Sequence, residues 1–337
     1  MGFISHRRLY YSARMSDDPG TPMLPQASAN SASDPQFHKQ FEAVLCSWAD
    51  ATTSGNSEQA MHAAIQALVL AGEEASRNPS PSLLLKQEAA DLEAKGEWAD
   101  VEIVRRKVLK LEESSGNLGG MAKAQMDLSR LLRAVGRLDE ATRFAGAAID
   151  SARRLKVFPV LVMALEIGIA CALDQKKCKE ALAGSSESLQ VTESGKIYNH
   201  IRARALVIRA RCLLAHGDPA AAATDLAASR ELLPPQGAFL LPGPSRTLAN
   251  WWEVKSELEQ QRGNLEGAGD AITRAVACRR QFDGPFALLD LSRALTKLGE
   301  ITNLGGDSAK AQLALNEAND VRDSLHLPRG LVPIVPA

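Results

Sequence analysis

Few of the side chains that carry out chemistry stand close enough together in this sequence to act in concert. The six histidines, His6, His38, His62, His200, His216 and His326, include no pair four residues apart and no His-Glu-x-x-His, so no helical zinc site is expected. Five cysteines (Cys46, Cys171, Cys178, Cys212, Cys278) are odd in number and scattered, without a Cys-x-x-Cys. They read as reduced, small core residues of an intracellular protein. Gly116-Asn117-Leu118-Gly119-Gly120 is glycine-rich, but no strand precedes it and no Gly-Lys-Ser/Thr follows. An inter-helix turn therefore explains it better than a phosphate cradle. Gly184-Ser185-Ser186 lies inside a helical stretch and not on a strand-to-helix elbow, so Ser185 reads as a solvated helix position. These residues predict a non-catalytic chain, not an enzyme, with no metal and no cofactor.

Composition says what could hold such residues. Of 337 residues, 45% are hydrophobic but only 4% aromatic, so the apolar content is mostly Ala and Leu, which suit close helix contacts and offer little to a sheet. The expected class is all-α. With 39 basic and 40 acidic residues the net charge is -1, so the field that draws proteins to phosphate backbones is absent and no nucleic-acid partner is expected. No run approaches the ~18 apolar residues of a membrane span.

The stretch Leu288 to Leu325 shows how the chain is built. Leu291, Leu295 and Leu298 line one helix, Gly305-Gly306-Asp307 makes a turn, and Ala311, Leu315 and Ala318 line a second helix. Laid against itself on the turn residue, the chain repeats at Gly55, Gly96, Gly136, Lys176, Gly217, Gly263 and Gly306, a mean period near 42. Five residues after the turn come Ala60, Val101, Ala141, Ala181, Ala222, Ala268 and Ala311. Twelve after it come Ala67, Val108, Ala148, Ser188, Ser229, Ala275 and Ala318. Seven before it stand Trp48, Ala89, Ser129, Ile169, Ala210, Ser256 and Gly299. Small residues at these places let paired helices lie close and let the next hairpin dock. Trp48 and Ile169 are the bulky exceptions, and Lys176 replaces the turn glycine.

In these positions the chain resembles tetratricopeptide repeats, helix-turn-helix units with small residues at three fixed places. The likeness runs from about Phe37 to His326 and is clearest in AQMDLSRLLRAVGRLDEATRFAGAAIDSARRL and DLSRALTKLGEITNLGG. The common unit has 34 residues; the longer one here is similar to repeats of kinesin light chains and of bacterial regulatory proteins. The resemblance implies a right-handed α-solenoid, a superhelix of about seven hairpins over residues 37–326; residues 1–36, rich in Ser, Pro, Ala, Asp and Gly, are expected to form a disordered tail, and 327–337, with three prolines, an extended one. The prolines Pro159, Pro219 and Pro285 fall at helix starts, where a missing N–H is harmless.

In that family the first helices line the concave side. Matching the register points inward Lys86, Lys123, Arg130, Arg204, Val207, Arg211, Asn250, Glu253, Glu257, Arg293 and Lys297; the groove residues singled out are Lys86, Lys123, Arg130, Arg204, Arg211, Asn250 and Glu253. Arg204 and Arg211, seven apart, share one helix face, as do Lys123 and Arg130. They read either as a basic strip or as a scattered solvated face with weak local ion pairs. Members that clamp a peptide's terminal carboxylate place Lys and Asn four apart, but here Ala90 follows Lys86. The expected function is a protein-protein interaction scaffold that binds a peptide or partner helix, an acidic one if the basic strip exists. The alternatives are a ligand- or partner-sensing module of a regulatory system and, third, RNA binding. Self-association of end hairpins stays open. Trp251-Trp252 and Phe239-Leu240-Leu241 read as folding onto the neighbouring hairpin, with an exposed apolar contact the alternative. The cytoplasm is the expected location, with organelle targeting by residues 1–15 the minor alternative.

Overall fold

The computed structural model describes scattered positions between 39 and 66 and the stretches 79–194, 199–233 and 242–326. The expected first hairpin at Gly55, both tails and the Phe239-Leu240-Leu241 segment lie outside the described residues. The chain divides into a unit ending at Gln87 and a unit from Glu88 onward, and nearly all of the helical stack belongs to the second.

Twelve helices make six hairpins among the described residues: α1 (Pro81–Lys95) with α2 (Trp98–Ser114), α3 (Leu118–Ala134) with α4 (Leu138–Leu155), α5 (Phe158–Asp174) with α6 (Cys178–Ser194), α7 (Asn199–His216) with α8 (Pro219–Leu232), α9 (Pro242–Gln261) with α10 (Leu265–Arg279), and α11 (Pro285–Leu304) with α12 (Ser308–Ser324). Every predicted turn residue among them has positive φ: Gly96, Gly136, Gly217, Gly263, Gly306 and also Lys176, at 59°. The geometry is thus set by the turn and not by the presence of glycine. Aspartate or asparagine caps the helix after three of these turns, with Asp218, Asn264 and Asp307 accepting from the N–H groups of Ala221, Gly267 and Lys310.

The three small-residue rows are buried in all six hairpins. Val101, Ala141, Ala181, Ala222 and Ala268 are 0% exposed, and Ala148, Ser229, Ala275 and Ala318 likewise. Seven before the turn, Ser129 and Ser256 add a bond to the close approach: their hydroxyls donate to the carbonyls of Ala141 and Ala268, at 2.7 and 2.8 Å. The bulky Ile169 is accommodated by glycine on the paired helix, since a Cβ on Gly184 would stand 3.2 Å from Ile169 Cγ1. That gives the Gly184-Ser185-Ser186 motif its structural reason and corrects one expectation. Ser185 is 0% exposed and not solvated, its hydroxyl donating to Leu182 O.

Gly116-Asn117-Leu118-Gly119-Gly120 is the expected turn, between α2 and α3. Asn117 accepts from Gly120 N–H and donates to Glu112. The same Glu-Asn-Gly device recurs as Glu259, Asn264 and Gly267. All five cysteines are free; Cys171 and Cys212 are buried, but Cys46 is exposed, against the expectation of a core residue. No helix among the described residues is long and apolar enough to cross a membrane.

The last hairpin packs back against the first two. Trp98, Val101, Leu131, Leu289 and Leu325 form one apolar cluster, and the Trp98 indole N–H donates to Leu325 O at 2.8 Å. Within the second unit the stack of hairpins therefore curves far enough for the end of α12 to return onto α2.

Candidate functional site

First helices of neighbouring hairpins touch, α3 with α5, α5 with α7 and α7 with α9, while second helices touch little or not at all. The second helices are instead bridged by long side chains, such as Arg137 to Glu102 at 2.6 Å and Arg153 to Glu187 at 2.7 Å. Helices closer together lie on the inside of a curve, so the first helices form the inner face.

Three rows of residues draw that face, counted back from each turn residue. Thirteen before it stand Lys123, Arg204, Asn250 and Arg293; ten before it Met126, Glu166, Val207 and Glu253; six before it Arg130, Arg211 and Glu257. The middle row is shielded where first helices meet. Met126 and Val207 are buried there, and Glu166 is 7% exposed. Val207, expected on the open face, packs with Val254 and Leu258 of the next hairpin instead.

A carboxylate in the middle row therefore loses water and draws arginines from both sides. Arg204 reaches back to Glu166 on α5, while Arg211 reaches forward to Glu253 on α9 at 2.9 Å and to Glu257 at 3.6 Å. Although they share a helix face, the two point their charges to opposite neighbours. Arg279 adds a second guanidinium to Glu253 at 2.8 Å, donates to Asn250 Oδ1, and reaches Asp290 at 3.4 Å. Arg133 binds Asp174 across the same seam, and Lys123 pairs with Asp127 within α3. Cations and carboxylates thus alternate along this face: Lys123 pairs locally within α3, while Arg204 and Arg211 pair with acids of neighbouring hairpins.

Titration follows burial. Desolvation pushes the carboxyls of Glu166 and Glu257 above their ordinary range, although Arg204 and Arg211 oppose it. For Asp290 burial also acts upward, but Arg279 and Arg293 outweigh it and hold the group low.

Of the predicted groove residues, Lys86 is exposed on α1 in the N-terminal unit; the other six belong to the second unit. Lys123, Arg204, Arg211, Asn250 and Glu253 are tied into the network. Arg130 is the exception, with no carboxylate within 4 Å among the described residues. Its guanidinium lies 5.8 Å from the Phe286 ring centre, a ring shared with Arg105 at 5.5 Å and met edge-on by Trp98 at 6.1 Å. Sequence reasoning missed Glu166, Asp174, Arg133, Arg279 and Phe286. The signal was present as opposite charges one repeat apart, 41 residues for Arg133 and Asp174 and 42 for Arg211 and Glu253. Trp251 and Trp252 fold onto neighbouring hairpins as expected: Trp251 donates to Leu226 O at 2.9 Å, and Trp252 lies under Arg274 at 4.9 Å.

The architecture is that of a tetratricopeptide-like helical repeat, all-α and assembled from stacked hairpins. Solved structures share it at low identity. The apo form of RapI superposes with a TM-score of 0.56 and 11% identity, over 86% of this chain and 99% of that one. The Rap conjugation gene regulator of plasmid pLS20, in complex with the Phr* peptide, gives 0.53 and 12%, over 90% and 80%. A Rap protein complexed with competence and sporulation factor gives 0.51 and 13%, over 86% and 78%. No protein-family model matches the sequence, and no curated protein matches it.

Proposed function

We propose that this chain is a non-catalytic protein-interaction module that holds a peptide or partner helix against the first helices of its repeat. The observation that carries the reading is the inner face itself: Arg, Lys, Glu and Asn side chains from α3, α5, α7 and α9, several of them held in place by ion pairs within and between hairpins. Such a face offers charge and hydrogen bonds from fixed positions, and pre-organisation lowers the ordering cost of binding. Two structures of the same fold are complexes, one with the Phr* peptide and one with competence and sporulation factor, which supports a partner-binding role for this chain.

The second reading is a sensing module within a regulatory system, favoured by the resemblance in fold to a conjugation gene regulator. Photo-crosslinking from positions on α5, α7 and α9 in the native host, with the outer face of α4 and α6 as control, tests the interaction role. Partner contacts confined to the control positions would dismiss it. A thermal-shift screen with short peptides separates the two readings, since a ligand that binds only the folded state raises its midpoint.

A further inference from the structure

We propose that the docking surface of this chain is the inner side of α5, between Lys123 and Arg130 on α3 and Arg204 and Arg211 on α7. Its occupant is an amphipathic helix of a partner protein, with one apolar row flanked on both sides by Asp and Glu. The proposal rests on the interaction reading above and names the chemistry of the partner.

The floor follows from the composition of α5. Its only charged side chains are Glu166 and Asp174. Both are taken by neighbours, Glu166 by Arg204 of α7 and Asp174 by Arg133 of α3. Thirteen and six residues before the turn, where α3, α7, α9 and α11 carry charged or amide side chains, α5 carries Met163 and Ala170, each partly exposed. Two fixed points in each seam set what flanks them. On the α3 side Met126 shares a core cluster with Ile167, and Arg133 pairs with Asp174 at the same offset of 41 residues. Arg130, between Met126 and Arg133, therefore stands beside Ala170, and Lys123 beside Met163. On the α7 side Arg204 pairs with Glu166, and Cys212 shares a cluster with Ile169. Arg211 is thereby set against Ala170, and Arg204 against Met163.

Along these flanks solvent meets mainly positive charge. Arg130 is exposed and has no carboxylate within 4 Å among the described residues. In the ion pairs the cation is the outer member: Lys123 keeps 47% of its side chain exposed against 25% for Asp127, and Arg204 keeps 38% against 5% for Glu166. Arg211 is likewise more exposed than Glu253 or Glu257. Charge complementarity therefore asks for acids on both sides of an apolar contact. The spacing asks for a helix. Met163 and Ala170 are seven residues apart, as are Lys123 and Arg130, and Arg204 and Arg211, about 10.5 Å along each axis. A partner helix aligned with α5 repeats at that distance, so apolar residues at its a and d places meet Met163 and Ala170 while acids at e and g meet the cations. An extended chain alternates its side chains over the same length and offers no apolar row with acids on both flanks.

The test uses the full chain and fluorescein-labelled three-heptad peptides, read by anisotropy at concentrations where each peptide is monomeric. The probe repeats Glu-Leu-Ala-Ala-Leu-Glu-Gln. One control replaces every Glu by Lys, a second every Leu by Gln, and a third sets proline in the central heptad. The acidic probe should bind the wild type, and each control should bind about tenfold more weakly or not at all. Arg130→Gln, an exposed site whose loss leaves no acid unpaired, should weaken the probe about threefold. Ala170→Glu, which sets a carboxylate on the floor between Arg130 and Arg211, should weaken it about tenfold or more. Arg143→Gln on the outer face of α4 leaves binding unchanged, and circular dichroism verifies that each variant is folded. Equal binding of any control, or unchanged binding by Arg130→Gln and Ala170→Glu, overturns the proposal and leaves the interaction reading standing. Failure of every peptide also overturns it, and crosslinks from α5, α7 and α9 in the host then decide the wider reading separately.

Discussion

Lys176 occupies a left-handed conformation that glycine occupies at the five equivalent turns. A side chain there costs about 1 kcal/mol or more, because its Cβ crowds the following carbonyl. Lys176 is outside the helices it joins, so substituting it disturbs no packed row. Lys176→Gly should raise stability by about 0.5–1 kcal/mol despite the freer unfolded chain, measured as a higher urea midpoint at unchanged slope. A lower midpoint would mean that the lysine makes a compensating contact.

Between helices, the close approach is what the small residues permit, and Gly299 shows its limit. A Cβ there would stand 2.7 Å from Leu315 Cγ and 3.2 Å from Ala311 O on the paired helix. By helix propensity alone Gly299→Ala would stabilise by about 1 kcal/mol. The crowding is the larger effect, since a packed core resists an added methyl by about 1–3 kcal/mol. Gly299→Ala should therefore destabilise, by about 1–2 kcal/mol, in equilibrium unfolding; stabilisation would show that α11 and α12 separate freely. The same reasoning places glycine at 184 opposite Ile169, where the bulky residue sits on the first helix and its partner gives way.

At the level of the whole second unit, the last hairpin returns onto α2 and α3. Trp98 supplies both the apolar plug and the indole donor to Leu325 O, and Gly96 lies so close to His326 that a Cβ would meet it at 2.8 Å. Trp98→Ala should cost about 3–5 kcal/mol, as truncations of buried tryptophan do. The milder Trp98→Phe removes the hydrogen bond, worth about 1 kcal/mol, and keeps most of the packing. Amide hydrogen exchange should show lost protection at the end of α12 and the start of α2 in both variants, more in Trp98→Ala. Protection lost evenly throughout would mean that the contact is no separate closure but part of one cooperative stack.

The hairpins, their turn residues and their buried rows were legible in the residues alone because those features obey local steric rules repeated at a constant period. A tight turn demands left-handed backbone, and a close helix pair demands small side chains, wherever the chain happens to run. Charge pairing was not legible in that way. Arg204 and Arg211 look equivalent on one helix face, yet which carboxylate each reaches depends on the spacing and tilt of neighbouring hairpins. Whether a middle-row residue is core like Val207 or a desolvated acid like Glu166 depends on how closely first helices meet. The return of Leu325 onto Trp98, 227 residues away, depends on curvature summed over every hairpin between them, a quantity that no single segment of sequence contains.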